Sequence, residues 1–236
     1  ETEEMIQQSQ KIRDQRAQMI RQQASTSQEQ VAGNKSQQKG QNSSQGGQKG
    51  EQQEQKGNQN QAAQQAHLTV NWEDFEKKIK TLNELWNGYE SEAKKDGAHD
   101  RLISQFEKQL NALTGTVMAH NEEETLTAAN GLYQYYYQFF NLYRHNAPPE
   151  IKEMKYYIQE ILINAEADKW EDAIPLLTNM DKAWQTAKSR MQKPNKELNA
   201  RIDNAMQDFS QVVQQKDLHL VKIKGAILLK NVEKVK

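Results

Sequence analysis

From Trp72 onward, the apolar residues of this chain recur at alternating steps of three and four positions. The first stripe of this kind consists of Trp72, Phe75, Ile79, Leu82, Trp86, Tyr89 and Ala93. A period near 3.5 residues places every member of a stripe on one face of an α-helix. This heptad spacing therefore predicts helices that each bury one face and cross their neighbours at shallow angles, as in helical bundles.

The same spacing continues to the end of the chain in segments separated by short polar breaks. The further stripes cover residues 103–117, 126–143, 151–165, 170–191, 198–212 and 218–235. Asn71 and Asp100 are predicted helix caps, and Gly97 is a predicted helix stop. Because the connections are short, neighbouring helices are expected to run antiparallel. Residues 67–236 thus predict an all-α, antiparallel up-down bundle, although residues 220–224 also alternate as a strand would.

The four Trp residues indicate an internal duplication. The triplet Trp-Glu-Asp at 72–74 recurs at 170–172, and Trp86 and Trp184 follow the two triplets at the same spacing. The simplest explanation is a repeated helical unit whose copies pack around a pseudo-twofold axis. The alternative is a coincidence between amphipathic helices. The predicted halves are about 70–145 and 168–236, joined by a helix over 149–167.

Residues 1–66 differ sharply from the rest, since they contain no aromatic residue and no Pro. Gln, Gly, Ser, Asn and Lys dominate residues 24–66, which have too little apolar surface to offset the entropy cost of ordering. We therefore predict a disordered tether over 1–66. A short amphipathic helix is possible within 1–23, but its few apolar residues cannot hold it without a partner. A spacer is the functional interpretation of this segment, and low-complexity filler is the alternative.

The composition excludes several classes of function. The net charge of −1 provides no basic field for nucleic acid. The absence of Cys excludes disulfides, zinc–thiolate sites and thiol nucleophiles. The five His residues contain no pair at zinc-binding i,i+4 spacing, and neither a phosphate-binding loop nor a G-x-S-x-G motif is present. We therefore predict no catalytic residue, no metal site and no cofactor.

Aromatic residues are concentrated between 133 and 143, and two interpretations of this run are open. A central helix surrounded on most sides would bury such a wide aromatic band. An aromatic-lined pocket between the two halves would instead hold a sugar, a lipid or a planar cofactor. The candidate ligand-binding residues of that pocket are Trp72, Trp86, Tyr133, Tyr136, Phe140, Trp170 and Trp184.

The last helical stripe, within residues 216–236, is rich in Lys as well as in Leu, Val and Ile. The simplest interpretation is a final bundle helix whose Lys residues form a solvated face. Such a helix can also lie on an anionic membrane surface.

Residues 137–173, YQFFNLYRHNAPPEIKEMKYYIQEILINAEADKWEDA, belong to a Cys-free heptad bundle that follows a Gln-, Ser- and Asn-rich spacer. This combination resembles uncharacterised cell-envelope lipoproteins of Gram-positive bacteria that carry a helical-bundle domain. The resemblance implies an extracytoplasmic location, either anchored to the cell envelope or secreted. It also implies a lipid-anchored Cys just upstream of this chain, so membrane attachment would occur only through a removed N-terminal anchor.

These observations lead to two functional hypotheses. The first is a non-enzymatic, envelope-tethered binding or scaffolding protein whose partner is an unknown envelope protein or surface component. The alternative is an extracytoplasmic carrier that holds a small ligand in its aromatic interior.

Overall fold

The computed structural model describes the backbone of residues 1–33 and 69–236 and the side chains of residues 1–18 and 69–236. The chain divides into two compact units, of which the first combines Glu1–Ile6 with Trp72–Lys236 and the second is Gln7–Asn71. Residues 34–66 of the predicted tether lie outside the described residues, so their disorder stays a prediction.

The described residues are helical and contain no strand, which confirms the all-α prediction. The helices are α1 (Thr2–Gly33), α2 (Trp72–Lys95), α3 (Asp100–Met118), α4 (Glu122–Tyr133), α5 (Tyr136–Phe140), α6 (Glu150–Glu166), α7 (Trp170–Arg190), α8 (Lys196–Gln214) and α9 (Leu218–Val232). Consecutive helices pack against each other from α2 to α4 and from α5 to α9, as an antiparallel bundle requires. The stretch 220–224, which also alternates as a strand would, is part of α9.

The first turn of α1 belongs to the same unit as the bundle, so the predicted boundary after residue 66 does not hold for residues 1–6. Met5 and Ile6 are buried there. The Thr2 hydroxyl shares a hydrogen bond of 2.8 Å with the hydroxyl of Tyr136, and Lys78 Nζ lies 2.9 Å from Glu4 Oε2. These contacts supply the partner that a helix with so few apolar residues needs.

Two of the predicted helix ends can be compared directly with the structure. Gly97 follows α2 with a φ of 105°, a left-handed conformation that suits Gly, so the predicted stop is confirmed. The predicted cap Asp100 is wrong, because the cap of α3 is His99. The Nδ1 atom of His99 accepts the backbone N–H of Leu102 at 3.0 Å. An imidazole nitrogen can thus take the role that a carboxylate oxygen usually has.

The turns that end three of the helices repeat one backbone conformation. His120, Asp168 and Lys216 all have φ values between 53° and 58° and follow α3, α6 and α8 respectively. In each turn, the N–H of this residue donates to the carbonyl three positions back, and the next N–H donates to the carbonyl five positions back. Asn121 and Asp217 then cap α4 and α9 with side-chain oxygens, as expected for copies of one unit.

A Trp–carboxylate hydrogen bond is also repeated in the two halves. Trp86 Nε1 of α2 donates to Glu107 Oε1 of α3 at 3.5 Å. Trp184 Nε1 of α7 donates to Asp203 Oδ1 of α8 at 2.6 Å. The duplication therefore includes a specific polar contact between its first two helices, and this contact is tighter in the second half.

The second half has a mainly aliphatic core, whereas the first half is aromatic. Trp184 is fully buried in a cluster contributed by α6, α7, α8 and α9. Phe106 of α3 corresponds to Ile202 of α8, and both side chains are buried. The larger ring at Phe106 places a further aromatic side chain opposite Trp86, and this difference distinguishes the candidate site from its counterpart.

Candidate functional site

The candidate site lies beside a helix interruption that follows α4. The sequence predicts one helix through Tyr143, but α4 ends at Tyr133 and the five-residue helix α5 follows from Tyr136. Tyr133 and Phe139, which lie on either side of this interruption, are both buried.

Aromatic rings of α2, α3, α5 and the loop after α5 line a cavity of about 320 Å³ that is open to solvent, which we name the aromatic cavity. Its walls are Trp86, Tyr89, Phe106, Tyr136, Phe139, Phe140, Tyr143 and His145. The Trp86 and Phe106 centroids lie 4.2 Å apart, and Phe139 meets Phe106 edge to face at 5.2 Å. Edge-to-face contacts of this kind stabilise the walls beyond their burial alone.

The polar atoms near the aromatic cavity form a short hydrogen-bond chain. The Tyr89 hydroxyl donates to the Tyr143 hydroxyl at 3.0 Å, and Tyr143 donates to Asp96 Oδ2 at 2.7 Å. The hydrogen bonds with Tyr89 and with Asp96 raise the pKa of the Tyr143 phenol. Tyr143 therefore remains a protonated donor at neutral pH, and the chain fixes two walls of the cavity.

The structure brings only part of the predicted ligand-binding set together. Trp86, Tyr136 and Phe140 line the aromatic cavity, while Tyr133 lies beyond its walls. The cavity is formed by the first half alone, whereas the sequence predicts a pocket between the halves. Trp170 and Trp184 belong instead to the core of the second half.

The Trp residues outside the cavity have local partners of their own. Trp72 stacks on the His120 imidazole, with ring centroids 4.9 Å apart, and the indole of Trp170 donates to Asp168 Oδ1 at 2.6 Å. His120 and Asp168 are the left-handed residues that end α3 and α6. These two indoles therefore cover the turns between helices.

Tyr133 is a buried phenol whose hydroxyl has no hydrogen-bond partner among the residues that the structure describes. Burial raises its pKa, and the nearby Glu3 carboxylate adds to this effect. The ammonium groups of Lys152 and Lys155 lie 5.9 Å and 6.0 Å from the centre of its ring. The Tyr133 ring therefore lies against the two lysine side chains of α6 and does not line the aromatic cavity.

Sequence reasoning missed five of the lining residues, namely Tyr89, Phe106, Phe139, Tyr143 and His145. Tyr89 follows Trp86 by one heptad step, and Phe106 lies on the stripe predicted to pack beside it. The periodicity of the sequence was therefore sufficient to predict these two lining residues. His145 follows the predicted end of its helix, where only the folded loop returns it to Phe140 at a ring distance of 4.8 Å.

Within the described part of the chain, no group of three or more His, Cys, Asp or Glu side chains could hold a metal ion. None of the helices described there combines the length and the apolar character needed to cross a bilayer. No family model, curated protein or solved structure matches this chain.

Proposed function

We propose that this chain is a non-enzymatic binding protein that holds a small, planar, apolar ligand in the aromatic cavity. The observation that carries the proposal is that all eight lining side chains are aromatic rings, counting the imidazole of His145. A volume of about 320 Å³ falls within the roughly 300–1,000 Å³ of pockets that bind small organic molecules. The proposal includes an extracytoplasmic location, which the resemblance to envelope lipoproteins supports.

The lining favours one of the ligand classes considered from the sequence. A sugar needs several convergent polar partners, whereas the polar groups here are paired with each other at Tyr89, Tyr143 and Asp96. A planar ring system gains offset or edge contacts with the walls, each worth about 0.5–1.5 kcal/mol beyond area burial. The chemistry therefore supports a planar aromatic ligand better than a carbohydrate.

Trp86 provides a direct test, because its indole forms a wall of the cavity. Titration with neutral 2-naphthalenemethanol should change the intrinsic Trp fluorescence of the full chain in a saturable manner. Trp86→Phe should remove most of this change while retaining a ring at the position. Trp72→Phe is the matched control, since Trp72 lies on the same helix outside the cavity, and it should keep the change.

Phe140→Ala tests the same site through affinity. Loss of one half-exposed wall should weaken naphthalenemethanol binding about threefold to tenfold, the equivalent of one ring contact. Isothermal titration calorimetry gives the affinity, and circular dichroism verifies that the variant is folded. No saturable binding to the unmodified chain, or a full fluorescence response in Trp86→Phe, would contradict the proposal.

A second candidate function, scaffolding at a surface, is supported by an exposed apolar stripe on α9. Leu220, Ile223 and Ile227 recur at helical spacing and are all exposed, with Ile227 the most exposed at 47%. Lys230 lies exposed one turn beyond Ile227 on this helix, and Lys216 is exposed in the turn that precedes it. Aliphatic side chains flanked by cations are suited to contact an anionic lipid surface.

Ile223→Glu should therefore reduce co-sedimentation with phosphatidylglycerol vesicles severalfold, since it places an anion in the centre of the α9 stripe. Leu85→Glu is the control, because Leu85 is an exposed apolar residue of α2. It should sediment as the unmodified chain does, and phosphatidylcholine vesicles should retain little of any variant. Equal sedimentation of both variants with phosphatidylglycerol would eliminate this candidate.

A further inference from the structure

A second cavity, of about 490 Å³, adjoins the aromatic cavity. Phe140 and His145 line both cavities, so the two share a wall. The second cavity is lined by Lys152 and Lys155 of α6 together with Glu233, and we name it the lysine cavity. An apolar compartment thus lies directly beside a compartment with charged walls.

Three lysine residues line this cavity; Lys236 is exposed, whereas Lys152 and Lys155 are at least partly buried and differ in their charge partners. Lys155 is buried, forms an ion pair with Glu3, and has Glu233 Oε1 at 3.7 Å. Lys152 is half-buried and has no carboxylate oxygen within ion-pair distance among the described residues. Its ammonium instead lies 5.0 Å from the centre of the Phe140 ring. Since Lys236 is exposed, Lys152 is the half-buried lysine of this lining that has no ion pair among the described residues.

The surroundings of Lys152 make its positive charge costly. Burial is the main cause that lowers its pKa, and repulsion from the Lys155 ammonium is the second. Glu3 and Glu233 oppose this effect from a distance. A half-buried cation without a counterion is stabilised when an anion reaches it and replaces the water that it lost.

We propose that the aromatic cavity and Lys152 form one site for an amphiphilic carboxylate, whose planar body lies among the rings and whose anion pairs with Lys152. This inference rests on the proposed function, because it assigns the chemical class of that ligand. The shared wall at Phe140 supports it, since the Lys152 ammonium lies against the ring that borders the aromatic cavity. Lys155 is paired and Lys236 is exposed to solvent, so Lys152 is the one half-buried lysine of this lining without an ion pair among the described residues, which favours one carboxylate on the ligand.

The test compares two probes that differ in one group, 2-naphthoate and neutral 2-naphthalenemethanol. The full chain should bind naphthoate roughly tenfold more tightly, as expected for a charge-assisted pair in a partly dry site. Lys152→Met should abolish this preference and leave the affinity for naphthalenemethanol unchanged. Lys188→Met is the matched control, because the Lys188 ammonium lies 5.5 Å from the centre of the Trp184 ring in the other half. It should retain the preference.

The outcomes separate this inference from the proposed function. Failure of both probes to bind would overturn both proposals. Equal affinities in the unmodified chain, or a preference for naphthoate that persists in Lys152→Met, would overturn only the assignment of the carboxylate. The salt dependence of binding to the unmodified chain is a second test, which does not require the Lys152→Met variant to fold. Naphthoate binding should weaken as ionic strength rises, while naphthalenemethanol binding stays constant. Identical salt responses of the two probes would contradict the ion pair.

Discussion

Replacing Trp184 with alanine should lower the free energy of unfolding by about 3–5 kcal/mol, the usual cost of removing a large buried aromatic side chain. The Trp184 side chain is fully buried between α7 and its neighbours in the second half. The substitution also removes the indole that donates to Asp203 at 2.6 Å. Urea denaturation followed by circular dichroism measures this change directly.

Substitution of the carboxylates that accept hydrogen bonds from Trp184 and Trp86 separates the contribution of hydrogen bonding to stability from that of packing. Asp203→Ala leaves a buried indole N–H without a partner and should cost about 1–3 kcal/mol. Glu107→Ala should cost less than Asp203→Ala, because the Trp86–Glu107 hydrogen bond is 3.5 Å long. A loss below about 1 kcal/mol for Trp184→Ala would contradict the buried position of this residue.

Gly225→Val should destabilise the bundle by about 1–3 kcal/mol through overpacking. A Cβ atom at Gly225 would lie 2.9 Å from Leu162 Cδ2 and 3.1 Å from Phe209 Cε2. Both neighbours are buried, so they have little room to move. This Gly allows α9 to approach α6 and α8 closely, and a branched side chain would force the helices apart.

Gly88→Val is the matched control for that substitution. Gly88 also lies within a helix, but no heavy atom lies within 4 Å of a Cβ placed there. Valine is a slightly better helix former than glycine, so the variant should stay within about 0.5 kcal/mol of the unmodified chain. Thermal unfolding of both variants provides the comparison. Similar stabilities for Gly225→Val and Gly88→Val would show that α9 is not closely packed at this point.

The heptad spacing and the Trp repeats determined the helical content, most helix boundaries and the internal duplication. The helical content and the helix boundaries depend on residues that are close in the chain, since a stripe is defined by side chains three or four positions apart. The stop at Gly97 is local for the same reason, because it depends on the φ preference of one residue. The duplication instead depends on residue patterns that recur far along the chain, at Trp72 and Trp170.

The composition of the aromatic run predicted that an aromatic site was possible but did not give its position. Trp86, Tyr136 and Phe140 were identified among the candidates, whereas Trp170 and Trp184 belong to another core. Which rings meet depends on the break between α4 and α5. Periodicity alone does not predict that break, because Tyr136 and Phe140 continue the apolar stripe of α4.

The sequence by itself therefore determined which segments are helical and which of them are copies, because those properties follow from short-range periodicity and from repeated residues. Only the tertiary structure decided that residues 1–6 join the bundle, that the cavity lies within the first half, and that Lys155 forms an ion pair whereas Lys152 forms none with the described residues. Each of these features depends on contacts between residues that are distant in the chain. Such contacts are fixed by packing and charge pairing once the helices have assembled.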